Sequence, residues 1–228
     1  MKPNEQRAKT AIILIIVVMI FSVISLFSDS LEYGLLTSSE ITSEAAESND
    51  TRQRIIAIFS LIAYIISIVT FISWFRRAYY NLHSKINNLD NSEAAAAYSW
   101  FIPIVNLYKP QNIMKEIFEE TELFLEQNIE KYNAPTNISK VQLWWTFWIV
   151  VNILSNIQFR MSLNADTIDE LINSNIFSMI ISILSIPLAI VTINVIKEYS
   201  KIETLFFNTK AREIAPVLES DFSNEVEG

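Results

Sequence analysis

The chain has 228 residues, 51% hydrophobic and 18% charged, with a formal charge of -8; it is too apolar for an average soluble domain and lacks the basic balance a nucleic-acid surface needs. The absence of cysteine excludes a disulfide framework, a thiolate nucleophile and any cysteine-built zinc or iron–sulfur site. Two glycines leave no room for a phosphate-cradling loop, and the single histidine, His83, leaves no histidine metal cluster or two-histidine relay.

Taken in order, residues 1–10 form a short basic start, expected in the cytoplasm. Residues 11–28 carry no charge and approach the roughly 20 residues that a helix needs to cross about 30 Å of hydrocarbon. No small-x-small cleavage pattern follows Phe27, so this run is expected as an uncleaved first transmembrane helix. Residues 29–54, rich in Ser, Thr and Glu, are expected as an external acidic loop, with a short helix within it as the alternative. A second charge-free run, 55–75, predicts the second span; Ser60, Ala63, Ser67 and Thr70 lie on one stripe of it, where small side chains let another helix approach closely.

Residues 76–140 read as a cytoplasmic segment. Within it, 94–108 is apolar but offers only about 15 residues and contains Pro103 and Asn106, which predicts a re-entrant or interfacial hairpin rather than a crossing. Residues 110–132 open on Pro110 and repeat apolar positions at helical spacing opposite a Glu-rich face, which predicts an amphipathic helix. Residues 141–161 predict a third span, 162–175 a short external loop, and 176–196 a fourth span with a small-residue stripe (Ser178, Ser182, Ser185, Ala189) and Pro187 as a kink. Residues 197–228 are expected as a cytoplasmic helix followed by a disordered acidic tail. The fold expected is thus an all-α integral membrane protein with four transmembrane helices, a re-entrant or interfacial hairpin and an amphipathic cytoplasmic helix.

Orientation follows from the basic residues. Only Arg52, Arg54 and Arg160 of the 17 fall on the side of the two short loops, so the positive-inside rule puts both termini and the long central segment in the cytoplasm of a cell-membrane, multi-pass protein. All five tryptophans (Trp74, Trp100, Trp144, Trp145, Trp148) then gather at the inner membrane–water boundary, where amphipathic indoles prefer to sit.

Two stretches concentrate the chemistry, WFRRAYYNLH from Trp74 and AAAAYSWFIPIVNLYKPQNIMKE from Ala94. Arg76, Arg77, Asn81, Trp100, Pro103, Asn106, Lys109, Pro110, Lys115, Glu116 and Trp145 are the candidate binding residues of a cytoplasmic rim, since arginine beside tryptophan at the boundary suits phosphate head groups. Asn152 and Asn156 share one face of the third span and are candidates for intramembrane polar contacts with a neighbouring helix. No catalytic, cofactor-binding or metal-ligating residue stands out.

The stretches resemble the bacterial membrane-protein family catalogued as domain of unknown function 4328. Its W-x-x-R-A-x-x-N-L segment corresponds to Trp74, Arg77, Ala78, Asn81 and Leu82. Its W-F-x-P-x-x-N-L-x-[RK]-P segment with a downstream K-E corresponds to Trp100, Phe101, Pro103, Asn106, Leu107, Lys109, Pro110, Lys115 and Glu116, and its paired tryptophan to Trp144 and Trp145. The chain departs from the pattern at Gln111 and Phe118, where relatives often carry tyrosine and tryptophan. The resemblance implies the membrane architecture and supplies no mechanism.

The function expected is a non-enzymatic structural, lipid-binding or partner-binding role at the cytoplasmic membrane face. The partners expected are the bilayer, including anionic head groups, and a protein partner or homo-oligomer, with no nucleic acid. A neutral-solute transporter or channel component is the alternative, weakened because the span interiors lack the charged residues that mark ion pathways. An interface enzyme is the second alternative; Glu119 and Glu120 show no acid/base spacing.

Overall fold

A computed structural model describes residues 2–132 and 138–210, and every regular element among them is helical. Helix α1 spans Glu5–Leu36, α2 Ser43–His83, α3 Ala95–Tyr98, α4 Lys109–Asn128, α5 Ser139–Leu163 and α6 Ile168–Asn208, with a 3-10 turn at Val105–Leu107. The tail beyond residue 210 and residues 133–137 lie outside the described residues.

The helices outrun the charge-free runs that announced them. The segment 29–54, read as a loop, is helical except near residues 37–42, and the loop read at 162–175 shrinks to the turn around 164–167. Where α2 and α6 begin, polar sequence is helical because the first turn is capped. The Thr42 hydroxyl accepts the Ala45 N–H, and Thr167 with Glu170 forms a capping box that starts α6. Helix α6 runs on through Pro187.

Among the described residues, α1, α2 and α6 are long and apolar enough to cross a membrane, and they mark an all-helical membrane protein. Helix α5, expected as a span over 141–161, is long enough, but its amides and tryptophans leave it less apolar than the other three.

Contacts along the helices fix their directions. Asn4 meets Glu203 and Asp29 meets Ser178, so α1 runs antiparallel to α6. Gln53 meets Asp29, so α1 is also antiparallel to α2. Gln158 meets Ser174, which sets α5 antiparallel to α6. From Ser178 to Glu203 the axis of α6 covers roughly 37 Å at about 1.5 Å per residue, a little more than the hydrocarbon thickness of a bilayer.

Side chains are distributed oppositely in the middle and at the ends. Between the two polar layers, Ile13, Ile20, Val23, Phe59, Ile62, Val69, Ile183 and Ile190 are exposed, and only 11% of the most apolar stretch of α1 is buried. The buried core sits at the tryptophan end: Trp74, Phe75 and Tyr79 of α2, Ile113, Ile117 and Phe118 of α4, Trp144 of α5, and Ile196, Tyr199 and Phe206 of α6 are fully buried or nearly so. Along the shaft, Ala63 and Ser67 of α2 and Ser182 and Ala189 of α6 are buried, as small-residue seams allow.

The opposite end is closed by a polar cluster that joins three helices. Gln53 donates to both Asp29 (3.3 Å) and Glu32 (2.8 Å), Asn175 donates to Glu32 (2.7 Å), and Ser178 donates to Asp29 (2.7 Å). Arg52 and Asn49 complete it through Ser28 and Glu32.

If stability resides at the tryptophan end, truncation there and in the shaft must differ. Trp74→Ala is expected to cost about 3–5 kcal/mol and Phe59→Ala, at a 57% exposed position, less than about 1 kcal/mol. Thermal unfolding of the two variants in detergent micelles measures the contrast.

Candidate functional site

The chain from Tyr98 to Pro110 folds over a cluster of tryptophans. Trp100 sits at its centre, with ring centroids 5.6 Å from Phe71, 5.7 Å from Phe75, 6.1 Å from Trp145 and 5.9 Å from Trp148, mostly edge to face. Trp145 stacks on Trp148 at 4.6 Å and donates its indole N–H to the Leu107 carbonyl at 2.9 Å. That bond ties the loop to α5, and the offset and T-shaped contacts are those aromatic quadrupoles favour.

Held this way, the loop turns its apolar side chains outward. Phe101 is 72% exposed and Ile104 74%, with Ile102, Leu107 and Tyr108 also exposed. Ile104 takes a positive φ of 69°, a costly conformation for a β-branched residue. Here Val105 N–H bonds the Pro103 carbonyl at 2.8 Å and Asn106 N–H bonds the Ile102 carbonyl at 3.0 Å. The backbone tightens immediately before the 3-10 turn, and Pro110 then fits the first turn of α4.

A second knot lies at the start of α4. Glu116 accepts from the Tyr79 hydroxyl at 2.7 Å, from Asn91 Nδ2 at 3.1 Å and from the Asp90 backbone N–H. Burial, together with the Glu116 carboxylate beside it, pushes the Tyr79 phenol well above its usual range, so it remains a donor. Next to the knot is an open cleft of about 450 Å³ whose walls include Asp90, Asn91, Lys109, Lys115, Glu119 and Glu120. Partial burial, with Glu116, Glu119 and Asp90 nearby, raises the Glu120 carboxyl.

The third knot joins the chain start to α2 and α6. Asn81 is buried; its Nδ2 donates to the Lys2 carbonyl (2.9 Å) and to Glu203 (2.8 Å), while Lys2 N–H donates back to Asn81 Oδ1 (2.9 Å). Asn4 donates to both Glu203 oxygens and to the Trp74 carbonyl. Burial raises the Glu203 carboxyl, against the pull of the Asn81 and Asn4 amides and of Arg77.

The expected rim therefore divides into three places. Trp100 and Trp145 belong to the packed corner, with exposed Pro103 and half-buried Asn106 on the loop that covers it; Lys109, Pro110, Lys115 and Glu116 belong to the start of α4; Asn81 is an internal brace. Arg76 is exposed, 3.8 Å from Glu93, and Arg77 lies 5.4 Å over the Tyr80 ring. Asn152 and Asn156 turn back on their own helix, donating to the Trp148 and Asn152 carbonyls at 2.7 and 2.9 Å, rather than reaching a neighbour. An amide satisfied at its own preceding turn gains little from crossing to another helix.

Glu203 and Asn4 were missed by the sequence reading. The signal was available: Ile196, Tyr199, Ile202, Glu203 and Phe206 recur at helical spacing, which puts an acid on a buried stripe.

The family model described as "Domain of unknown function (DUF4328)" matches residues 37–201. No curated protein and no solved structure matches the chain.

The Tyr79–Glu116 bond is testable by a double-mutant cycle. Tyr79→Phe is expected to cost about 1.5–3 kcal/mol, the range for a hydrogen bond to a charged group, and Glu116→Ala a similar amount. The pair is expected to cost clearly less than the sum, read from thermal unfolding.

Proposed function

The chain belongs to the family of domain of unknown function 4328, and from that premise we propose that it is a multi-pass protein of the cell membrane. In this reading both termini are cytoplasmic, and a non-catalytic platform at the inner face engages lipid. The observation that carries the proposal is the outward display of Phe101, Ile104, Leu107 and Tyr108 by a loop anchored on the tryptophan corner. On a water-facing loop this apolar area would cost about 25 cal/mol per Å². At the level where indoles gather, it instead inserts among the upper acyl chains while the backbone stays bonded within the loop.

The same reading takes α5 as a fourth crossing. Its support is its antiparallel seat beside α6 and the exposed Ile153, Ile157, Phe159 and Leu163 on its shaft. Residues 94–108 then form an interfacial hairpin, and α4 leaves the membrane beside the end of α6, a reading supported by the Phe118–Tyr199 and Phe124–Phe206 ring pairs. Exposed Arg76 and the cleft lysines Lys109 and Lys115 supply charge at head-group depth, where each basic residue is worth about 1 kcal/mol against an anionic leaflet.

The natural absence of cysteine makes labelling direct. A cysteine at position 115 is expected to react only with reagent admitted from the cytoplasmic side, and one at position 40 only from outside; the reverse pattern overturns the orientation. For lipid engagement, a fluorophore on Ile104→Cys in nanodiscs is expected to be quenched by lipids brominated near the acyl carbonyl. The double variant Phe101→Ser/Ile104→Ser is expected to co-purify with less phospholipid than the parent. An unquenched label at 104, as accessible as one at Glu130, contradicts the reading.

A further inference from the structure

The cleft of about 450 Å³ beside the second knot carries both signs of charge: Lys109 and Lys115 share its wall with Asp90, Glu116, Glu119 and Glu120. Glu116 is spent on Tyr79, Asn91 and the Asp90 backbone N–H. None of the other five forms an ion pair within 4 Å among the described residues, although Lys115 and Glu119 stand one helical turn apart on α4. Both signs are therefore available to a ligand. The carboxylates also crowd one another, since partial burial and the neighbouring Glu116, Glu119 and Asp90 raise the Glu120 carboxyl.

The balance of charge narrows the ligand. A simple anion drawn to the lysines meets a surplus of carboxylates, and a simple cation drawn to the carboxylates meets the lysines. A molecule that joins a phosphate to an ammonium satisfies both. The order along the chain matches one such group. Exposed Phe101, Ile104, Leu107 and Tyr108 come first, then Lys109 and Lys115, then Glu119 and Glu120, and Tyr108 belongs to the cleft wall as well as to the loop. A membrane lipid runs in the same order, from acyl chain to phosphate to amine. Lys115 and Glu119 are separated by roughly 6 Å along the axis of α4, at about 1.5 Å per residue, which puts both side chains within reach of a phosphate and an amine joined by two carbons.

The walls also select the amine. A primary ammonium donates three hydrogen bonds, and the carboxylates and the amide oxygens of Asn88 and Asn112 are acceptors for them. A trimethylated ammonium donates none and is held instead by aromatic faces, of which the cleft wall offers only Tyr108 among the described residues.

We propose that this cleft binds the zwitterionic phosphoethanolamine head group of a membrane lipid, its phosphate at Lys109 and Lys115 and its primary ammonium at Glu119, Glu120 and Asp90. The inference rests on the lipid reading above and names the head group that the platform selects.

The test is native mass spectrometry of the full-length protein in a neutral detergent, offered phosphatidylethanolamine, phosphatidylcholine and phosphatidylglycerol with identical acyl chains at equal mole fraction. Phosphatidylethanolamine is expected to be retained about fivefold over each of the others, the worth of roughly one hydrogen bond. The double variant Glu119→Gln/Glu120→Gln is expected to lower its retention to that of phosphatidylcholine, and Lys109→Gln/Lys115→Gln to lower both several-fold, because the phosphate is common to them. Equal retention of the three lipids, a preference for phosphatidylglycerol, or a preference unchanged in Glu119→Gln/Glu120→Gln overturns the proposal. Soluble phosphoethanolamine is expected to leave the unfolding temperature unchanged; a rise with it and no preference among the lipids assigns the cleft to a soluble zwitterion and overturns the lipid assignment. Quenching of the Ile104→Cys label by brominated lipid separates the two readings. With the label quenched and no head-group preference, this proposal alone falls, and with the label unquenched both fall.

Discussion

Helices surrounded by hydrocarbon gain nothing from hiding apolar side chains from water, because the lipid is as apolar as the side chains. The rest of this architecture follows from that constraint. Along the shafts of α1, α2 and α6 the large apolar residues face outward and small ones face inward. The cohesion that burial would otherwise supply is concentrated where the chain leaves the apolar slab. At one end it comes from aromatic packing around Trp74, Trp100, Trp144 and Tyr199, and at the other from the hydrogen-bonded cluster of Asp29, Glu32, Gln53 and Asn175.

The motif residues are spent largely on that cohesion. Asn81 closes a three-way junction, Trp145 fixes a loop through one indole bond, and Glu116 satisfies three donors from two other segments. Each is polar and set within or beside an apolar environment, where an unmatched partner would carry its full desolvation penalty. Substitution at such positions strikes the fold first. A surface function belongs rather to what these braces display, the apolar tip of the 98–108 loop and the charged walls beside α4.

The three knots also share a logic of reach. Asn4 and Glu203 are separated by 199 positions in the chain, Tyr79 and Glu116 by 37, Leu107 and Trp145 by 38. Every one links segments that local helix propensity would form separately, so these bonds position elements rather than create them. The start of α1, the end of α6 and the foot of α2 consequently act as one unit.

Composition and spacing alone determined that this chain is helical and that it belongs to a membrane, because charge-free runs of membrane length have few other physical outcomes. They underestimated the helix in 29–54, since acidic Ser- and Thr-rich sequence reads as loop when the partners that hold it, Gln53, Arg52 and Asn175, cannot be assigned from periodicity. They also grouped Asn81, Trp100 and Glu116 as one rim, whereas the packing of α4 and α6 against α2 sends them to three places. Only the tertiary structure could decide this: which face of a helix a polar residue occupies follows from spacing, but which distant residue meets it depends on how the helices cross.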